Sequence, residues 1–225
     1  MVLSERKRSD GNGVAEIKEH LVQSGTRSEN ILVTGIPVRQ QFMKAKADVA
    51  EENQNVRKVL IMGGGLGLMP DLKELLGKLH SMHGVQTIVI TGKNKKVYEE
   101  WVNRYDDVKV LGYTENISKY MRWADLVITK AGGITLFELI HSEVPLFVIH
   151  PFLEQEMNNA RYAAEKGFAK VVWGKREEYI PELQKLLEDK KELQKMKVNV
   201  KRAKTEMIDV TLDEAVGIME ERMTA

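Results

Sequence analysis

The run Met62-Gly63-Gly64-Gly65-Leu66-Gly67 follows the apolar Val59-Leu60-Ile61 and precedes an amphipathic stretch that starts near Pro70. Strand, glycine-rich turn and helix in that order present bare backbone N–H groups to a phosphate at a helix N-terminus. Consecutive glycines are costly in chain entropy, which favours a bound ligand over a merely tight turn. A second turn, Lys130-Ala131-Gly132-Gly133, follows the strand-like Leu126-Val127-Ile128-Thr129 and also opens a helix. A helix dipole there favours a phosphate by a few tenths to ~1 kcal/mol. Lys130 can add charge, and Thr135 can donate from its hydroxyl. Glu138 lies about a turn and a half inside that helix. Its two oxygens can accept from both hydroxyls of a ribose, each charge-assisted bond contributing about 1.5–3 kcal/mol. By position alone it could also be an ordinary glutamate on a helix surface. Two such turns and one carboxylate describe a site for a diphosphate attached to a ribose.

Other glycine-loop chemistries fit less well. In the dinucleotide pattern G-x-G-x-x-G, Gly63 and Gly65 are followed by Leu68 where a third glycine belongs. An NAD-type oxidoreductase also wants an acid ending the second strand. That strand ends Val89-Ile90-Thr91-Gly92-Lys93, with a lysine and no acid. No Gly-Lys-Ser/Thr follows the glycines, so the Walker pattern fails too. His150-Pro151-Phe152-Leu153-Glu154-Gln155-Glu156 follows the apolar Leu146–Ile149, and loops at such strand ends bind ligands in open α/β sheets. Gln155, Glu156 and Asn159 offer amide and carboxylate groups suited to sugar hydroxyls. His150 is a weak candidate for a general base, because no partner acid lies near it in sequence; packing or a ligand contact are its other readings. The five histidines lack metal-ligand spacing, so no metal is expected.

These residues must be held by a framework. Short apolar runs at Ile31–Thr34, Lys58–Met62, Gln86–Thr91, Val108–Leu111, Leu126–Thr129, Leu146–Ile149 and Ala169–Val172 predict strands, mostly of the kind covered on both faces. Helical patterns fall at Val14–Ser24, Leu66–Met82, Lys95–Tyr105, Ile117–Arg122, Ile134–His141, Gln155–Lys166, Ile180–Glu188, Lys190–Lys204 and Leu212–Met223. The alternation predicts an α/β fold with a doubly wound, mostly parallel, Rossmann-like sheet. Residues 1–13 read as a disordered leader or cloning remnant, and Lys44–Asn55 as a helix end and loop. The lysine-rich Lys185–Lys204 reads as a solvated helical face or a membrane-surface patch.

Composition narrows the class. A chain of 225 residues, 43% hydrophobic and 30% charged, is ordinary for a soluble globular protein. A net charge of +1 gives no case for nucleic acid. Cysteine is absent, which removes disulfides, thiolate metal sites and a cysteine nucleophile, and suits a reducing cytoplasm.

Five ordered blocks carry a resemblance. They are Val33-Thr34-Gly35-Ile36-Pro37-Val38, Met62-Gly63-Gly64-Gly65, Gly92-Lys93-Asn94-Lys95-Lys96, Ile128 to Thr135 with Glu138, and Gln155-Glu156 with Asn159-Ala160. From about Ile17 onward the chain resembles the C-terminal half of the bacterial processive diacylglycerol glucosyltransferases and the monogalactosyldiacylglycerol synthases. Wider relatives add N-acetylglucosamine to the peptidoglycan lipid precursor.

The resemblance implies half of a GT-B glycosyltransferase, a hexosyltransferase of glycolipid biosynthesis. It implies an interdomain-junction-like segment over 14–38, a UDP-sugar-binding domain over 39–208 and an amphipathic helix over 209–225. The N-terminal acceptor-binding domain, with its catalytic base and lipid acceptor site, would be absent and the isolated chain inactive. A stand-alone nucleotide-sugar-binding subunit serving a separate membrane chain, and an N-acetylglucosaminyltransferase of the peptidoglycan-precursor type, are the alternatives.

By the same resemblance Gly63, Gly64, Gly65 and Gly67 would face the donor diphosphate with Lys130, Gly132, Gly133 and Thr135. Glu138 would hold the ribose, and Gln155, Glu156 and Asn159 the sugar. The turn at Gly112-Tyr113-Thr114 would meet the uracil. The UDP-sugar is a substrate, so no cofactor is implied. The full-length enzyme would lie peripherally on the cytoplasmic face of the membrane. Leu66 and Leu153-Glu154 depart from the family, the latter replacing a proline-glycine pair.

Overall fold

A computed structural model describes residues 13–31, 38–43, 56–64, 71–174, 176–207 and 212–224. The chain divides into two compact units. One is Val38–Glu206; the other joins residues 1–37 to 207–225. In the second, described residues form α1 (Gly13–Gln23), a 3-10 turn at Ser28–Asn30 and α10 (Leu212–Thr224). Val216 and Met219, apolar residues of α10, are exposed.

In Val38–Glu206 the described elements begin with α2 (Gln40–Met43), β1 (Arg57–Met62), α3 (Leu72–His80), β2 (Val85–Ile90), α4 (Lys95–Trp101), β3 (Val108–Leu111), α5 (Ile117–Trp123) and β4 (Leu126–Thr129). They continue with α6 (Gly133–Ser142), β5 (Leu146–Ile149), α7 (Glu154–Glu165), β6 (Ala169–Val172), α8 (Tyr179–Glu188) and α9 (Lys190–Thr205). The six strands form one sheet in the order β3-β2-β1-β4-β5-β6. Every pairing is parallel. The predicted doubly wound α/β sheet is therefore the observed one, with its topological switch between β1 and β4.

The apolar runs explain this arrangement. In β1, Val59, Leu60 and Ile61 are fully buried although successive side chains point to opposite faces. Both faces must be covered, which parallel connections through helices accomplish. Val59 and Ile61 join one core with Leu75, Leu76 and Leu79 of α3, Trp101 of α4, and Leu183 and Leu187 of α8.

One expectation changes. The helix predicted over Lys95–Tyr105 ends at Trp101, where Val102 turns extended and Asn103 takes a left-handed backbone (φ 62). Tyr105 still looks periodic because its ring packs on Trp101 and His80 from the following turn. Of the strand predicted at Ile31–Thr34, Ile31 caps the 3-10 turn, and residues 32–34 lie outside the described residues. So do the leader up to residue 12, the Lys44–Asn55 loop and the first part of the helix predicted from Leu66. No helix among the described residues is long and apolar enough to cross a membrane.

Candidate functional site

Strand register brings the two glycine turns together. Met62 pairs with Thr129, and Thr129 with Val148. Gly63 and Lys130 therefore leave adjacent strands at one level, beside Ile149, the last residue of β5, on the C-terminal edge at the switch point. That crevice is where open α/β sheets take ligands. Gly64 has φ +69, a left-handed backbone that favours glycine, and the space where its Cβ would stand is open. Gly65 and Gly67, with Leu66, lie outside the described residues.

After β4, Gly132 is the N-cap of α6, and among the described residues no side-chain cap is made at this helix start. The first N–H groups of α6 thus lack a side-chain acceptor of their own, the condition for receiving an anion. Gly133 lies close under the Gln155 side chain: a Cβ there would stand 2.8 Å from Nε2 of Gln155 and would push that amide aside. Asn159 Nδ2 donates to the carbonyl of Ala131 at 2.8 Å. Gln155 and Asn159 of α7 are thereby set against the β4–α6 turn. Glu156 turns back on its own loop, accepting from the N–H groups of Phe152 (3.0 Å) and Leu153 (3.3 Å). Its carboxylate shapes the β5–α7 loop. Lys130 and Thr135 are half-buried at the turn. Tyr113 is exposed, at the end of the edge strand β3.

Glu138 is not a surface glutamate. It is 3% exposed, on a helix with Leu136, Leu139 and Ile140 buried around it. Its Oε1 accepts from Nε of Arg39 at 2.8 Å. Burial pushes the Glu138 carboxyl above its ordinary range, and the hydrogen bond and charge of Arg39 pull the other way without cancelling the shift. Among the described residues Oε2 carries no such bond, so it remains free to accept from a ligand hydroxyl. Arg39 escaped the sequence reading. It stands directly after the quoted block ending at Val38, and its guanidinium lies 5.3 Å from the centre of the Phe42 ring. α5 fixes this segment: Arg122 Nη2 donates to the carbonyls of Gln41 (2.8 Å) and Phe42 (3.0 Å), and Ser118 Oγ to Gln41 Oε1 (2.9 Å).

His150, with no partner acid near it in sequence, has one near it in space. Asp71 Oδ2 lies 4.0 Å from His150 Nε2, from the start of α3. The pair is remote in sequence and could not be seen there. Among the described residues no three His, Cys, Asp or Glu side chains cluster as metal ligands do.

The structure therefore brings together Gly63, Gly64, Lys130, Gly132, Gly133, Gln155 and Asn159 at adjoining strand ends. Further along α6 the buried Glu138 pairs with the half-exposed Arg39. One edge of this arrangement carries N–H groups suited to phosphate, and the other carries a carboxylate suited to hydroxyls.

Residues 39–212 match the glycosyltransferase family 28 C-terminal domain. The chain is 38% identical over 194 residues to a processive diacylglycerol beta-glucosyltransferase of Bacillus licheniformis, covering 82% of this chain and 50% of that one. It is 36% identical over 194 residues, with the same coverage, to the enzyme of that name from Bacillus subtilis. The chain thus spans about half the length of these curated relatives. Among solved structures, spinosyn rhamnosyltransferase SpnG superposes with a TM-score of 0.61 at 17% identity, over 82% of this chain and 50% of that one. At that identity the likeness concerns the fold, which is that of a Rossmann-like half of a GT-B glycosyltransferase. The match over 39–212 and the identity to the two Bacillus enzymes agree with the paired glycine turns: this chain belongs to glycosyltransferase family 28, as its C-terminal domain.

Proposed function

We propose that this chain is the UDP-sugar-binding part of an inverting glycosyltransferase that transfers a hexose to a diacylglycerol-type lipid. The single observation that carries the donor site is the buried Glu138. A carboxylate is kept in the core only where it has a partner and a use. It sits behind the uncapped start of α6, level with a second glycine turn, which matches a ribose followed by a diphosphate. The names of the Bacillus relatives support glucose as the hexose and a diacylglycerol as the acceptor.

In the transfer, an acceptor hydroxyl oxygen bonds to the sugar's anomeric carbon. The bond from that carbon to the diphosphate oxygen breaks, and its electron pair leaves with UDP. The proton of the acceptor goes to a base outside this donor site. This chain's share is the leaving group: N–H groups of the glycine turns and the start of α6 meet charge as it develops on the diphosphate. No step requires a metal or cofactor. Peripheral attachment at the cytoplasmic membrane face completes the proposal.

The test is calorimetric titration of the chain with UDP and with NAD, in the presence of EDTA. UDP should bind, unaffected by the chelator, and NAD should bind more weakly. Tighter binding of NAD than of UDP would overturn the donor-site assignment.

A further inference from the structure

Four described residues other than glycine have left-handed backbone: Asp71 (φ 62), Asn103 (φ 62), Glu143 (φ 57) and His150 (φ 46). Asn103 stands just past the end of α4, and Glu143 is the C-cap of α6, both common uses of this conformation. Asp71 and His150 are different. They come from the start of α3 and the end of β5, and their side chains converge, with Nε2 and Oδ2 4.0 Å apart. The Asp71 side chain is only 7% exposed, and that of His150 is 35% exposed. On another side the His150 ring meets the buried Tyr179 ring edge-on, centroids 5.7 Å apart. The imidazole is therefore flanked by the Asp71 carboxylate and the Tyr179 ring and is partly open to solvent.

Its location follows from register. Two residues past the Thr129–Val148 pairing, His150 stands level with Ala131, beside the turn that carries Gly132 and Gly133. Pro151 then leads into the loop that delivers Gln155. Left-handed backbone at such residues costs about 1–3 kcal/mol or less and persists where the surroundings impose it, most often at binding sites.

Building on the donor-site reading above, we propose that His150 is a specificity-determining contact to the hexose of the nucleotide-sugar, and that Asp71 is the positioning residue that holds its imidazole. In a neutral imidazole, a carboxylate facing Nε2 favours the tautomer that carries its hydrogen there. Nδ1 is then an acceptor for a sugar hydroxyl. The 4.0 Å separation closes when a ligand excludes water from the pair, as such contacts commonly tighten on binding.

The test titrates the full chain, His150→Asn and Asp71→Asn with UDP and with UDP-glucose by calorimetry. Asparagine adopts left-handed backbone readily, so both variants should fold, which a thermal melt checks. His150→Asn should weaken UDP-glucose about five- to tenfold, the worth of one hydrogen bond, and Asp71→Asn about threefold. UDP itself should change less than about twofold in both, since it lacks the hexose. Equal losses for UDP and UDP-glucose, or no loss in either, would overturn the proposal and leave His150 as loop packing. If Asp71→Asn does not fold, His150→Asn alone decides. Failure of the donor-site reading looks different: the unaltered chain would then bind neither ligand, and the proposal would fall with it.

Discussion

The two sides of the sheet's C-terminal edge are built differently. At the ends of β2 and β3, polar contacts are local or run between neighbouring strand ends. Asn94 caps α4 by accepting from Val97 N at 3.1 Å, Thr91 Oγ1 donates to the carbonyl of Leu111 at 3.2 Å, and Thr114 Oγ1 accepts from Asn116 N at 3.2 Å. At the ends of β4 and β5 they tie distant segments: Asn159 to Ala131, and Arg39 to Glu138 across 99 residues. Local bonds end an element. Distant ones fix one element against another, which is what a ligand site needs before the ligand arrives. The distant contacts gather on the β4–β5 side, where the proposed reading puts the ribose and the sugar.

Breaking the distant bonds should therefore cost binding more than stability, and breaking the local ones the reverse. The largest effect is expected at Glu138. Glu138→Ala should weaken UDP by about 1.5–3 kcal/mol, roughly ten- to more than a hundredfold, measured by calorimetry. Next comes Gly133→Ala. Its backbone is not left-handed, so the helix should accept alanine, but the new Cβ would displace the Gln155 amide. UDP-glucose affinity should fall about three- to tenfold while the thermal midpoint holds. Asn94→Ala should show the opposite pattern: about 1 kcal/mol of stability lost with its cap, read by denaturant unfolding, and UDP affinity unchanged.

A smaller effect concerns pH. Folding raises the Glu138 pKa by burial, so the folded state favours the protonated acid. The stability this group contributes is present below its unfolded pKa and is lost as pH rises through its higher folded value. Ligand binding runs the other way, because ribose hydroxyls need the ionised acceptor. UDP-glucose affinity should fall on acidification, starting at a higher pH than an ordinary glutamate would dictate. The same titration on Glu138→Gln should lose that slope.

Much of this was legible in the chain. Continuous apolar runs such as Leu126–Thr129 identify buried parallel strands, because side chains on both faces must be apolar. Glycines after Met62 and after Ala131 mark the turns, because backbone must come close to a ligand or, at Gly133, to Gln155. The burial of Glu138 was not read, although Leu136, Phe137, Leu139 and Ile140 leave α6 little polar face, and a helix apolar on most sides lies inside. Arg39 and Asp71 were not legible. Each meets its partner only through strand order, which places segments together irrespective of their separation along the chain.

The central claim is that a buried carboxylate on α6 serves a nucleotide's ribose, and Glu138→Gln tests it most directly. Glutamine keeps the shape and removes a desolvated charge, while the half-exposed Arg39 keeps water as a partner. At neutral pH the variant should melt at the same or a higher temperature and bind UDP at least about tenfold more weakly in calorimetric titration. Unchanged UDP affinity in a folded Glu138→Gln chain would contradict the account.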